Sequence, residues 1–262
     1  MDGPAFLHDR HRLTRSGKGT FDRVLRGMRL LREHGIFFYV ITVLTAESLL
    51  YPDELFDFYQ EQQISMVAFN AEEIEGPHTS TSLLGVEMRE RFRRFLSRFM
   101  DLALAADPPL VVREFDTSAG AVQGPRYGPG SRTQENKPWA IVNVDCEGNF
   151  GTYSPELLGA SSPRHGPFTL GHVARDPLPA VLAGGRFQAL ESEIGLGVER
   201  CRQTCPYFAF CGGGAPANKF FENGSFASTE TLACRLSKQI CLDVTLAKLE
   251  ISTAAPAGPA RP

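Results

Sequence analysis

Phe21, Val24, Leu25, Met28 and Leu31 recur every three or four residues, the spacing of one apolar helix face. Thr20 precedes them as a candidate N-cap and Gly35 follows as a stop, so a helix is predicted between the two. Arg23, Arg26, Arg29 and Arg32 fall on one side of it, as on a solvated basic face. Phe37 to Leu44 is an unbroken apolar, β-branched run, expected for a strand buried on both faces. Pro52 opens a second helix toward Gln62, and Met66 to Asn70 reads as a second strand. Leu84, Met88, Phe92, Phe95, Phe99 and Leu102 make the stripe of a third helix across 83–105, and 110–115 is a third strand. Helices alternating with strands predict an α/β region with a parallel sheet.

The flanking segments are more polar. Residues 1–19 read as a loop, with His8 and His11 as solvated histidines. Residues 117–137 are rich in Gly, Pro and Ser and read as a linker. Runs at 140–145 and 149–154 enclose Cys146-Glu147-Gly148, a hairpin pattern, and 168–173 is a further short strand. A helix over 187–199 delivers the chain to Cys201, and another follows Cys234 to Glu250. The expected division is a first domain at 1–116, a linker at 117–138, a second domain at 139–250 and a disordered tail at 251–262.

Composition narrows the function. A chain of 262 residues, 42% hydrophobic, can bury a core, and a net charge of −3 argues against general nucleic-acid binding. No apolar run is long enough for a membrane span, and Met1-Asp2-Gly3-Pro4 opens no signal peptide. A cytoplasmic protein without a membrane partner is expected. Its six cysteines then favour metal ligation over disulfides.

The cysteines are concentrated in one stretch, Cys201-x3-Cys205-x5-Cys211, followed by Gly212-Gly213-Gly214 and, later, Cys234. Close thiols beside glycines suit a loop wrapped around one metal centre. Four-thiolate iron–sulfur binding, structural zinc and disulfides all remain open on the spacing. In the α/β region, Thr45, Asn70 and Glu72 stand at C-terminal strand ends, where parallel barrels place their chemistry.

Several long phrases resemble the radical SAM/SPASM peptide maturases, specifically their cyclophane-forming branch. They are DGPAFLHDRHRLTRSGKGTFDRV, ITVLT, YPDELFDFY and FNAEEIEG, then NVDCEGNFGTYSPELLG and CPYFAFCGGGAPANKFFENGSFASTETLACR. The resemblance implies the C-terminal part of a partial (β/α)6 radical SAM barrel followed by a SPASM/twitch-type iron–sulfur domain. It makes iron–sulfur the leading reading, with one auxiliary [4Fe–4S] cluster on Cys201, Cys205, Cys211 and Cys234. A second cluster would need a cysteine where this chain has Ala215, and Cys146 and Cys241 are left as buried residues or spare thiols. Asp2, Thr45, Asn70 and Glu72 are implied on the cofactor and substrate side of the barrel. The implied activity is carbon–carbon crosslinking of a ribosomally made precursor peptide, started by a radical from S-adenosylmethionine.

The chain departs from that family at one decisive place. It contains no Cys-x3-Cys-x2-Cys, the motif that holds the radical-generating cluster. The phrase around Asp2 falls in the family at the end of the fourth barrel strand, so the chain is expected to be a truncated or miscalled reading of a longer enzyme. S-adenosylmethionine and its [4Fe–4S] cluster are then expected only if the missing N-terminal half, or the partner subunit of a split enzyme, supplies them. The alternative is a non-catalytic iron–sulfur module that binds the peptide.

Overall fold

The computed structural model describes residues 1–254. In chain order its elements are α1 (Ala5–His11), α2 (Phe21–Glu33), β1 (Val40–Leu44), α3 (Pro52–Glu61), β2 (Met66–Ala71), α4 (Val86–Ala105), β3 (Val111–Val112) and α5 (Arg113–Gly120). There follow β4 (Val142–Val144), β5 (Asn149–Thr152), β6 (Ser161–Ser162), β7 (Gly166–Pro167), β8 (Gly171–His172), α6 (Leu178–Ala183), α7 (Gly185–Thr204), α8 (Phe208–Cys211), α9 (Pro216–Asn223) and α10 (Leu232–Cys234). A π-helical turn at Arg235–Ile240 leads into α11 (Cys241–Ala254).

The chain forms two compact units. One comprises Met1–Glu72, Ser82–Gln123 and, among the described residues, 239–254; the other comprises Glu73–Thr81 and Gly124–Lys238. This differs from the division expected from sequence in two ways. The last helix packs on α4 and α5 of the first unit instead of ending the second. The predicted linker is shared out: α5 takes its start, and the rest is anchored in the second unit, where the amides of Arg126 and Tyr127 both donate to Ala209 O, at 2.9 and 3.0 Å. The predicted tail begins inside α11, and the part beyond Ala254 lies outside the described residues.

The first unit is built on a parallel sheet, β1-β2-β3, with Val40 opposite Val67, Leu44 opposite Ala71 and Met66 opposite Val111. Its core is aromatic: Phe69 meets Phe99 edge-on at 4.9 Å, and Phe95 stacks on Phe99 at 5.8 Å. The strand expected to be buried on both faces is buried on one. Val40, Thr42 and Leu44 are buried, Ile41 is exposed, and Phe37 lies outside the strand at 75% exposure. β1 is an edge strand, bordered by the first two residues: Met1 N donates to Ile41 O, and Val43 N donates to Asp2 Oδ1 at 3.0 Å.

Two local readings change for identifiable reasons. The third strand stops at Val112, because the chain turns into α5 and Glu114 Oε2 accepts the Phe69 amide at 2.9 Å. The opening loop contains α1, and His8 is buried at 2% exposure. Asp2 N donates to His8 Nδ1 at 3.1 Å, which leaves the ring proton on Nε2, facing Thr20 Oγ1 at 3.1 Å. Thr20 spends its own hydroxyl proton on Arg12 O, and Asp9 Oδ1 caps α2 in its place by accepting from Thr20 N and Phe21 N.

The second unit holds the antiparallel sheet β4-β5-β8 and the hairpin β6-β7 beside α7. Its core gathers Tyr153, Leu157, Phe168, Leu190, Ile194, Ala217 and Phe226. Buried Glu193 on α7 ties His165 Nε2 at 2.6 Å and Ser225 Oγ at 2.7 Å to the helix. The hairpin expected around Cys146 forms, with Asp145 Oδ1 accepting the amides of Glu147 and Asn149.

Candidate iron–sulfur site and strand-end wall

Cys201 does not sit in a loop. It lies on the buried face of α7, in line with Leu190, Ile194 and Val198. That helix packs so closely on the backbone at Phe226 that a Cβ on Gly197 would fall 2.0 Å from Phe226 O. Cys205 is the residue that ends α7, Cys211 ends α8, and Cys234 ends α10. Three helix ends and the buried face of α7 therefore present the four thiols, all within the second unit.

The geometry around these ends is heavily specified. Gly212, Gly213 and Gly214 all have positive φ, at 71°, 101° and 70°, which side chains rarely tolerate. Buried Asn136 spans the turn, donating to Gly212 O and Gly214 O. α10 is fixed from two sides. Thr231 Oγ1 accepts from Cys234 N at 3.1 Å, and the carboxylate of Glu222 accepts from Leu232 N and Ala233 N. Neither Asn136 nor Glu222 was singled out by sequence, because each works through a contact distant along the chain.

Each sulfur has an N–H donor turned toward it. Lys219 Nζ stands 3.4 Å from Cys201 Sγ, and Thr231 N stands 3.3 Å from Cys234 Sγ. The Tyr207 amide faces Cys205, and the amides of Gly213 and Gly214 face Cys211. The thiols are also close enough to repel one another as anions: Cys205 feels Cys201 and Cys211, and Cys234 feels Cys211. Burial is the larger effect and raises the pKa of Cys205, Cys211 and Cys234, the last to about 11. Burial thus favours the neutral thiol at Cys205, Cys211 and Cys234, and a bound metal centre would favour the thiolate. None of the six cysteines, all among the described residues, is in a disulfide. Among the described residues no three His, Cys, Asp or Glu side chains converge on a single ion. The donor set of four thiols, Cys201 buried and the other three half-buried, each with an N–H donor, fits an iron–sulfur cluster, whose potential depends on hydrogen bonds to sulfur.

Of the other cysteines, Cys146 is exposed in the β4–β5 turn, so its place among buried residues is corrected to a spare thiol, while Cys241 is buried in the first unit. In that unit Asp2, Thr45 and Glu72 line one cavity of about 140 Å³, with Leu7, His11, Arg12, Val43, Glu47 and Ser48. Asn70 is not among its lining residues: it is exposed and accepts from Arg113 Nη2 at 2.8 Å. The two acids are engaged. Asp2 Oδ2 binds Arg12 Nε at 2.6 Å, and Glu72 Oε2 accepts from Ser82 N and Oγ, each at 2.6 Å. The cavity is below the ~300–1,000 Å³ of a drug-sized ligand's pocket. These residues do not by themselves fit S-adenosylmethionine, and no step through it follows from them.

No protein-family model matches the chain. An uncharacterised protein of Synechocystis sp. is 44% identical over 252 residues, which are 96% of this chain and 63% of that protein. A serine-type anaerobic sulfatase-maturating enzyme of Bacteroides thetaiotaomicron is 30% identical over 69 residues, 26% of this chain and 17% of that enzyme. The cysteine-type enzyme of Clostridium novyi is 23% identical over 69 residues, 26% of this chain and 18% of that enzyme. Among solved structures, the sulfatase-maturating enzyme anSMEcpe with bound AdoMet matches with a TM-score of 0.71 at 17% identity, covering 99% of this chain and 65% of that one. The same enzyme with AdoMet and a Kp18Cys peptide also matches at 0.71, at 17% identity, covering 96% and 67%. The chain therefore spans about two thirds of the length of the longer proteins it matches throughout. It has the α/β fold of that part of a radical SAM sulfatase-maturating enzyme, and among its described residues no helix is long and apolar enough to cross a membrane.

Proposed function

We propose that this chain is the C-terminal portion of a radical SAM peptide maturase, carrying its auxiliary [4Fe–4S] cluster on Cys201, Cys205, Cys211 and Cys234. The observation that carries the reading is the arrangement of four free thiols, each with an N–H donor, within a fold shared with anSMEcpe. A bound cluster would supply an electron relay; the protein supplies burial, spacing and hydrogen bonds to the sulfurs. The substrate proposed is a ribosomal precursor peptide, in line with the peptide bound in the structural neighbour. Carbon–carbon crosslinking is the proposed product, on the strength of the phrases that resemble the cyclophane-forming branch. Asp2, Thr45 and Glu72 would form the strand-end wall of the barrel on its cofactor side, with Asn70 at the same sheet end.

A second reading rests on the cysteine site alone, which would also serve outside a radical enzyme. On this view the chain is a non-catalytic iron–sulfur module that binds the peptide, or one subunit of a split enzyme. Reading the genomic sequence upstream of Met1 in frame separates the two: Cys-x3-Cys-x2-Cys there supports the maturase, and a stop codon supports the module. Anaerobic reconstitution with iron and sulfide tests what both share. About four irons per chain with visible absorption support the cluster. A colourless protein that takes up zinc instead would refute it.

A further inference from the structure

Lys219 is a lysine at 3% exposure on α9 whose ammonium is directed at sulfur. Its Nζ lies 3.4 Å from Cys201 Sγ, itself buried on α7. Burying an ammonium costs several kcal/mol unless an anion or strong acceptors compensate it. A thiol sulfur is a weak acceptor, whereas the sulfur of a metal-bound cysteine would be a strong one for the Lys219 Nζ that faces it at 3.4 Å. A cluster-bound thiolate supplies the compensating charge, since the centre spreads excess negative charge over its sulfurs. Lys238 also places a positive charge near Cys211, whereas Glu230 near Cys205 and Cys234 is paired at 2.6 Å with Arg235, which itself stands near Cys234. The charges around the four thiols are therefore uneven, and Lys219 is the cation with a direct contact.

We infer that Lys219 is a positioning residue for the auxiliary cluster: its ammonium holds the Cys201 thiolate and raises the reduction potential of the centre. This rests on the iron–sulfur reading proposed above. The sign follows from charge. Reduction adds an electron, and a cation at hydrogen-bond distance stabilises the more negative state. Removing it makes the cluster harder to reduce, whereas arginine retains the charge.

The test is redox titration, followed by visible and paramagnetic resonance signals, of the full chain reconstituted anaerobically as wild type, K219M, K219Q and K219R. Iron and sulfide are counted in each sample first. The expected result is a cluster in K219M that is at least about tenfold less readily reduced, a fall of about 59 mV for a one-electron couple, with K219R close to wild type. If K219M takes up no iron, K219Q is read in its place under the same criterion. Full occupancy with an unshifted potential in the neutral variant overturns the role of Lys219 and leaves the cluster reading intact. A wild-type chain that takes up no iron and sulfide overturns both.

Discussion

The side-chain amide of Asn136 bridges the two ends of the glycine turn after Cys211, donating to Gly212 O at 2.9 Å and to Gly214 O at 3.1 Å. Asn136 is itself fully buried and exchanges bonds with Thr133, whose amide donates to Asn136 Oδ1 at 2.9 Å. The turn uses this brace because three consecutive residues hold positive φ, and the Asn136 amide gives the Gly212 and Gly214 carbonyls a donor. Asn136→Ala leaves buried carbonyls without a donor, so it should cost about 1–3 kcal/mol. Urea unfolding with iron counting checks this. A midpoint and an iron content equal to wild type would show that the turn holds its shape unaided.

The thiols should separate by location. Cys205→Ala or Cys211→Ala removes a sulfur from the set in the second unit. It should abolish the cluster and loosen the chain through Glu222, because metal binding and local folding are linked. Cys146→Ala, in an exposed turn, should leave iron content unchanged, as should Cys241→Ala in the first unit. Equal iron loss from Cys146→Ala would sink the assignment of a single cluster to the other four.

Much of this was legible along the chain, and the reasons for the failures are physical. The apolar stripe through Phe92, Phe95 and Phe99 and the run in β2 are periodic over many residues, so neighbours could not easily override them. The 110–115 segment was short, and a single long-range bond from Glu114 to the Phe69 amide accompanies the turn into helix. His8 carried no periodic signal; its burial follows from contacts with Asp2 and Thr20. The four thiols were visible as spacing. Their supports, Lys219, Asn136 and Glu222, were not, because ordinary helix and loop residues acquire these roles only when the chain is folded.

The carboxylates of the second unit should make it sensitive to alkali. Burial pushes the Glu75 pKa up to about 8, helped by the nearby charges of Glu73, Glu156 and Glu135. Burial also raises Glu73, although Asn218 Nδ2 donates to it at 2.8 Å. A folded pKa above the unfolded one makes the folded state bind more protons, so stability falls as pH rises from the ordinary carboxylate range through about 8. Glu75→Gln should remove much of that slope. Because Glu75 keeps partial contact with water, the gain at pH 9 should be only about 1 kcal/mol. Unfolding midpoints of the two proteins at pH 6 and pH 9 supply the comparison. An equal difference at both pH values would remove Glu75 as the cause.

The first unit should respond in the opposite sense. Burial depresses the His8 pKa, outweighing the attraction of Asp2, and the neutral ring is the form that accepts the Asp2 amide. For Asp2, burial alone would raise the pKa, but the Arg12 guanidinium and the Val43 amide together hold it below the usual range. Both groups bind fewer protons when folded than when unfolded. Their stabilisation is therefore present above their unfolded values, about 6.5 for His and 3.9 for Asp. It is lost as pH falls through the depressed folded values, His8 first and Asp2 later. His8→Asn, which can keep an acceptor for the Asp2 amide but does not titrate, should flatten the loss between pH 7 and pH 5. Nuclear magnetic resonance of the His8 ring supplies the direct check. A midpoint at or above about 6.5 would mean that the buried ring is not held neutral, and the lock between α1 and the edge of β1 would need another explanation.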